Sequence, residues 1–202
     1  ESGTYETIVA PVEVSPASVT TEDLKSQTQL ISSWTSSYGG SSHYKYNRNY
    51  NVAMMSSLIN GAVIEPGETW SVNDTAGPRE AGTVYDWKKA AGLYNGGTTQ
   101  QYGGGVCQLG STTYNACIRS GVTIVDFSHH TIPSDYIPVG LDATLSTPDP
   151  DLELGNDTEY TFYIVSYVNP IDRNVTVEVY GVPLTDDSGQ QIVLTYESEK
   201  TG

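Results

Sequence analysis

Tyr102-Gly103-Gly104-Gly105-Val106-Cys107-Gln108, running on into Leu109-Gly110-Ser111-Thr112-Thr113-Tyr114-Asn115-Ala116-Cys117-Ile118, is the stretch from which the rest of the chain can be read. Glycines open backbone dihedrals closed to other residues, and this run delivers Cys107 to the first turn of a predicted helix. Unsatisfied N–H groups and the helix dipole at such a start favour a thiolate, the reactive form of the sulfur. At about 100° per residue, Val106, Leu109, Thr113 and Cys117 centre one apolar arc, and Cys107 lies on its flank. Cys117 therefore reads as a small core hydrophobe, and Cys107 as a candidate nucleophile. The same helix rules out a disulfide between them. At about 1.5 Å rise per residue they stand about 15 Å apart, against a Cα limit of about 7 Å.

Working outward, Thr20 and Asp23 have capping-box spacing, and Leu24, Thr28, Ile31, Thr35 and Tyr38 recur at helical intervals. They predict a helix over about 21–37, broken by Gly39-Gly40-Ser41-Ser42. A second helix is predicted over about 50–59, ended by Asn60-Gly61. Val63 to Val72 reads as a strand, a Pro66-Gly67 turn and another strand, and the Gly-rich residues 73–101 as loop. The third helix covers about 106–119 and closes at Gly121. Beyond it the pattern turns to strands, predicted at 122–127, 142–146, 152–154, 160–168, 174–182 and 191–197. Val175, Val177 and Val179 alternate with polar residues, as in a half-buried antiparallel strand. The expected fold class is α+β, with the three helices packed on a mainly antiparallel sheet formed by the C-terminal half. Residues 1–19 read as a linker or the tail of a preceding domain. Residues 20–182 read as the domain itself, and 183–202 as a strand or linker towards a following one.

Composition narrows the function. With 24 Asp+Glu against 9 Lys+Arg, the net charge is −15, which repels nucleic acid and anionic membrane surfaces. Fifteen Tyr and few Lys suit a secreted or surface protein. No apolar run approaches the ~20 residues of a bilayer span, so no membrane insertion is expected. The chain opens without Met, as expected of a processed or excised piece.

A thiol nucleophile needs a base, and the base needs an orienting group. His43 sits in a polar loop and reads as solvated. His129 and His130 follow the strand predicted at 122–127, and Asp142 opens the next. This Cys–His–Asp order is that of papain-like and transglutaminase-like thiol enzymes. Cys107, His129 and His130 lack the compact spacing of zinc ligands, and Asp149-Pro150-Asp151 and Asp186-Asp187-Ser188-Gly189 lack that of a calcium loop. No metal and no cofactor are expected. Asn-x-Ser/Thr triplets begin at Asn73, Asn156 and Asn174, and would matter only in a eukaryotic secretory pathway.

Several motifs stand in fixed order: Arg48-Asn49 then Asn51, Asn60-Gly61, Ile64-Glu65-Pro66-Gly67-Glu68-Thr69-Trp70-Ser71 and Gly77-Pro78-Arg79. Gly103 to Gln108, Ser111 to Ala116, His130, Pro133, Tyr136 to Gly140 and Asp142-Ala143-Thr144 complete the series. With these motifs the chain resembles the VanW family from about residue 28 to 165. The resemblance implies a surface protein of the cell envelope, mostly of Gram-positive bacteria, whose partner is peptidoglycan or another wall component; it carries no established biochemical activity. Cys117 stands where an aliphatic residue is usual, in keeping with a core role. Phe127-Ser128-His129 replaces a more basic stretch, which makes His130 the better candidate base. The expected site is then Cys107 as nucleophile, His130 as base and Asp142 as its orienting partner. Gln108 or helix-start N–H groups would face an oxyanion, with Gly105, Arg48 and Tyr136 shaping the binding pocket. The alternative is a non-catalytic module that binds peptidoglycan or a wall ligand, with Arg48 or Arg79 pairing a ligand carboxylate, or a structural spacer; in either case the glycine–cysteine segment is a packing device.

Overall fold

The computed structural model describes residues 28–38, 46–94 and 97–192. Twelve elements follow one another: β1 (Gln29–Ser37), α1 (Tyr46–Ile59), β2 (Ala62–Ile64), β3 (Thr69–Ser71), α2 (Val72–Ala76), β4 (Lys89–Tyr94), β5 (Gly97–Tyr102), α3 (Val106–Cys117), β6 (Thr123–Asp126), β7 (Glu153–Gly155), β8 (Phe162–Asn169) and β9 (Asn174–Gly181). The architecture is α+β with antiparallel sheets. A four-stranded sheet runs β1-β9-β8-β2, a three-stranded one β3-β7-β6, and β4-β5 form a separate hairpin.

The alternating valines behave as the pattern predicts. Val175, Val177 and Val179 are fully buried, and the register sets Ile164 opposite Val179 and Ser166 opposite Val177. Against that face α1 presents Val52, Met55 and Ile59, spaced three and four apart, and α3 presents Leu109, Ala116 and Cys117. Each large apolar side chain withdrawn from water there contributes about 1.5–3 kcal/mol.

Four expectations need correction. The first concerns the N-terminal helix predicted over 21–37. Residues 29–37 form strand β1, antiparallel to β9 with Trp34 opposite Val177 and Ser36 opposite Val175; residues 21–27 lie outside those described. Of its inward positions, Ser32 and Ser36 are small and polar and flank the half-buried Trp34, which packs against the core. Ser32 Oγ donates to the Ala116 carbonyl at 2.5 Å, and Ser36 Oγ meets Thr112 Oγ1 at 2.7 Å. The sheet is therefore not made by the C-terminal half alone, because β1 and β2 supply both its edges.

The Gly-rich stretch 73–101 is not all loop: it holds α2 and most of the β4–β5 hairpin. Nor is 142–146 a strand. Ala143 and Leu145 do alternate inward, but the N–H groups bond elsewhere than to a strand: Ala143 to Ser111 Oγ, Thr144 to the Ser128 carbonyl and Ser146 to the Pro150 carbonyl. This extended segment is thus stitched partly to α3. The strand predicted at 191–197 survives in the described residues as a single bridge between Gln191 and Thr185. His43 and residues 1–19 lie outside the described residues.

Candidate active site

The three glycines before α3 are bare for two different reasons. A Cβ on Gly104 would fall 2.3 Å from the Ala90 carbonyl oxygen, so backbone packs on backbone there. At Gly103 (φ +73) it would fall 2.8 Å from Arg79 Cδ, and at Gly105 (φ +108) 2.8 Å from Arg48 Cγ. Both conformations favour glycine, and both also leave room for an arginine stem. Asn51 of α1 fixes the run from below. Its Nδ2 donates to the carbonyls of Gly104 (3.0 Å) and Lys88 (2.9 Å), and its Oδ1 accepts from Lys88 N (3.0 Å).

The run ends in the left-handed Gly105, the N-cap of α3, which offers no side-chain cap. Val106 N donates to the Gly103 carbonyl and Gln108 N to the Gly105 carbonyl. The intervening Cys107 N–H has no backbone acceptor among the described residues. The Cys107 thiol is half-buried and reduced. It donates to the Leu145 carbonyl and accepts from Leu145 N, each at 3.4 Å.

His130 and Asp142 meet on the loop side of this helix start. Asp142 Oδ2 accepts from His130 N and pairs with His130 Nδ1, both at 2.6 Å. The His130 side chain is 5% exposed. With Nδ1 held by the carboxylate, Nε2 is the nitrogen left for the thiol. Burial on its own would lower the His130 pKa, but the neighbouring Cys107 sulfur and the Asp142 carboxylate outweigh it and raise the pKa above its ordinary value. Burial likewise works to raise Asp142, yet the bonds from His130 hold it below the usual carboxylate range. His129 approaches the other side of Asp142, with Nδ1 3.0 Å from the Asp142 carbonyl and 3.3 Å from Oδ1, and its half-exposed ring stands edge-on to Phe127.

Cys107 and His130 share a cavity of about 290 Å³ with Arg48, Gly105, Gln108 and Tyr136. Arg48 Nη2 donates to Gln108 Oε1 at 2.8 Å, and the guanidinium lies 5.8 Å from the centre of the Tyr136 ring. Burial pulls its pKa down, with Tyr136, Asp135 and Cys107 acting the other way. Burial pushes the Tyr136 phenol up, so it is a neutral hydrogen-bond donor at any working pH. Gln108 is fully buried and engaged at both ends of its amide: Nε2 donates to Ser36 Oγ at 2.9 Å while Oε1 accepts from Arg48. It links β1 to Arg48, so the group free to face an oxyanion is the Cys107 N–H. Cys107, His130, Arg48, Gly105, Gln108 and Tyr136 thus line one cavity, and Asp142 contacts it only through His130. Sequence reasoning missed Asn51 as part of the site, although it sits in a quoted motif, and named Arg79 only in the non-catalytic reading, as a partner for a ligand carboxylate. Asn73 and Asn156, which open two of the triplets, are buried and spend their side chains on internal hydrogen bonds.

The comparisons with known proteins point one way. The uncharacterized protein YoaR of Bacillus subtilis strain 168 is 37% identical over 109 residues, 54% of this chain and 35% of that protein. Vancomycin B-type resistance protein VanW of Enterococcus faecalis strain ATCC 700802 / V583 is 31% identical over 143 residues, 68% of this chain and 50% of that protein. The chain therefore spans half or less of the length of these relatives. No solved structure matches it. The family model described as VanW like protein matches residues 47–180, from the first turn of α1 to the end of β9. With every part of the Cys107–His130–Asp142 cluster inside that span, the chain belongs to the VanW-like protein family.

Proposed function

We propose that this domain is a cysteine-dependent acyl transferase or hydrolase of the bacterial cell envelope, acting on peptidoglycan peptides or on side chains of surface proteins. One observation carries the reading: a buried imidazole, held by a carboxylate on one side, faces a helix-start thiol at the wall of a cavity. Cys107 sulfur would attack the carbonyl carbon of an amide, with its proton passing to His130 Nε2. The C–N bond then breaks as the imidazolium returns that proton to the leaving nitrogen, and the acyl group stays on sulfur as a thioester. Water or a second amine, deprotonated by His130, attacks the thioester and releases Cys107. Asp142 keeps His130 in the required tautomer and stabilises its charged form. The Cys107 N–H is placed for the oxyanion, and Arg48 and Tyr136 orient the substrate. The vancomycin-resistance relative directs the choice of substrate to the cell envelope.

Purified Gram-positive peptidoglycan incubated with the protein should give an altered muropeptide profile by liquid chromatography and mass spectrometry. Cys107→Ala should abolish the change, and His130→Ala should slow it by about 10²–10⁴-fold. Identical profiles with wild type and Cys107→Ala would remove this substrate. The rival reading, a non-catalytic wall-binding module, draws on the two hydrogen bonds that tie the thiol to Leu145. It would be favoured if both proteins bind peptidoglycan equally and neither changes it.

A further inference from the structure

A second cavity, of about 160 Å³, adjoins the first and shares Gln101, Gly103 and Val106 with it. Arg79 lines it as Arg48 lines the first. The Arg79 side chain is 8% exposed, and its stem lies against the bare face of Gly103. Nη2 donates to Asn73 Oδ1 at 2.8 Å, whereas Nη1 has no hydrogen-bond partner among the described residues. Asn73 cannot turn to serve it, since its own Nδ2 is spent on the carbonyls of Ser146, Pro148 and Pro150. Burial pulls the Arg79 pKa down, with Cys107 and then Asp151 acting the other way. The Asp151 oxygens, however, are taken by Asn73 N, Leu152 N and Ser71 Oγ. Glu80 also lines the cavity, but it is exposed, where water and salt screen its charge.

A buried guanidinium with an open donor and no ion pair is costly unless something completes it. We propose that Arg79 anchors a second anion subsite, so that the substrate is a peptide bearing carboxylates in both cavities, one at Arg48 and one at Arg79. The inference rests on the acyl-transfer reading for the position of the attacked bond between the two. Gly103 and Gly105 are then the paired clearances that let two arginines flank one nucleophile, and Gln101 is the shared wall the peptide crosses. Guanidinium–carboxylate pairing is both strong and directional, so each cavity would select for a free carboxylate and against its amide.

The test uses binding without turnover. An N-acetylated tetrapeptide with glutamate at its second position and a free C-terminus is titrated calorimetrically into the Cys107→Ala protein, beside the two peptides in which one carboxylate is amidated. Amidating either carboxylate should weaken binding by about tenfold or more. Arg79→Gln should weaken the dicarboxylate by the same factor and leave one of the mono-amides unaffected. The amide series needs no arginine variant, so the test survives if Arg79→Gln does not fold. The subsite is overturned if the dicarboxylate does not bind, if only one carboxylate matters, or if Arg79→Gln weakens all three peptides alike. An unchanged muropeptide profile beside a two-carboxylate requirement would remove the acyl-transfer reading and leave the subsite standing.

Discussion

The two cysteines of α3 are the same residue at opposite ends of one helix, and the fold makes different things of them. Cys117 is fully buried among Ala116, Val122 and the sheet valines, and burial pushes its thiol far above the ordinary range. Cys107 stands where the glycine run enters the helix, half-buried, with His130, Arg48 and Tyr136 around the same cavity. The difference lies in position along the helix. The C-terminal end runs into the sheet and offers the sulfur only apolar neighbours. The N-terminal end is built from groups without side chains, and so leaves room for arginines and a substrate.

The contrast is broken most directly by reactivity. Iodoacetamide on the native protein should modify Cys107 at least about a thousandfold faster than Cys117, because exposing a core thiol requires an opening of several kcal/mol. Peptide mapping by mass spectrometry separates the two sites. Equal labelling at both would erase the distinction and with it the nucleophile.

This end-to-end difference was legible in the sequence because a helix wheel resolves Val106, Leu109, Thr113 and Cys117 from Cys107 without tertiary information. Other features were hidden for physical reasons. Strand β1 turns Ser32 and Ser36 inward to bond α3, so on the face that should have shown period-2 hydrophobicity only Trp34 stands between two hydroxyls. Strands β4 and β5 hold Ala90, Ala91 and Gly92 against Gln101, Gln100 and Thr99, and Ala91, Gly92 and Gln101 line the cavity rather than the core. Ala143 and Leu145 do alternate inward, as a strand over 142–146 would require. The segment is nevertheless no strand, because Ser111 and Ser128 take the backbone N–H groups that a neighbouring strand would have taken. At the site, the order of Cys107, His130 and Asp142 could be read from the chain. The pairing of Arg79 with Gly103 could not, since it joins residues whose proximity only the fold creates.

Stability should separate the two ends in the opposite sense from reactivity at their glycines and thiols. At the N-terminal end, Gly105→Ala forces a side chain into φ +108 and to within 2.8 Å of Arg48 Cγ, which should cost about 3 kcal/mol. At the C-terminal end, Cys117→Ser replaces a buried thiol with a hydroxyl among apolar groups, which should cost about 2 kcal/mol. Cys107→Ser, at a half-buried polar position, should stay within about 0.5 kcal/mol of wild type. Urea unfolding followed by circular dichroism measures all three. A Cys107→Ser loss as large as that of Cys117→Ser would make Cys107 a packing residue.

The smallest expected effect is a pH dependence, and it belongs to one end only. His130 has its pKa raised on folding, so its share of stability is complete below the ordinary imidazole value of about 6.5 and is lost as pH rises through the raised value. Asp142 has its pKa lowered, so its share is complete above the ordinary carboxylate value of about 3.9 and is lost as pH falls through the lowered one. The stability difference between wild type and Asp142→Asn should therefore be greatest between those two ordinary values and shrink on both sides. Cys117 is a neutral thiol throughout this range, so the difference between wild type and Cys117→Ser should be flat across it. Urea midpoints taken at intervals from pH 3 to 8 compare the two curves. A flat Asp142→Asn curve would mean that the His130–Asp142 contact carries no charge linkage, and the imidazole would then lack the orienting partner that the acyl-transfer chemistry requires.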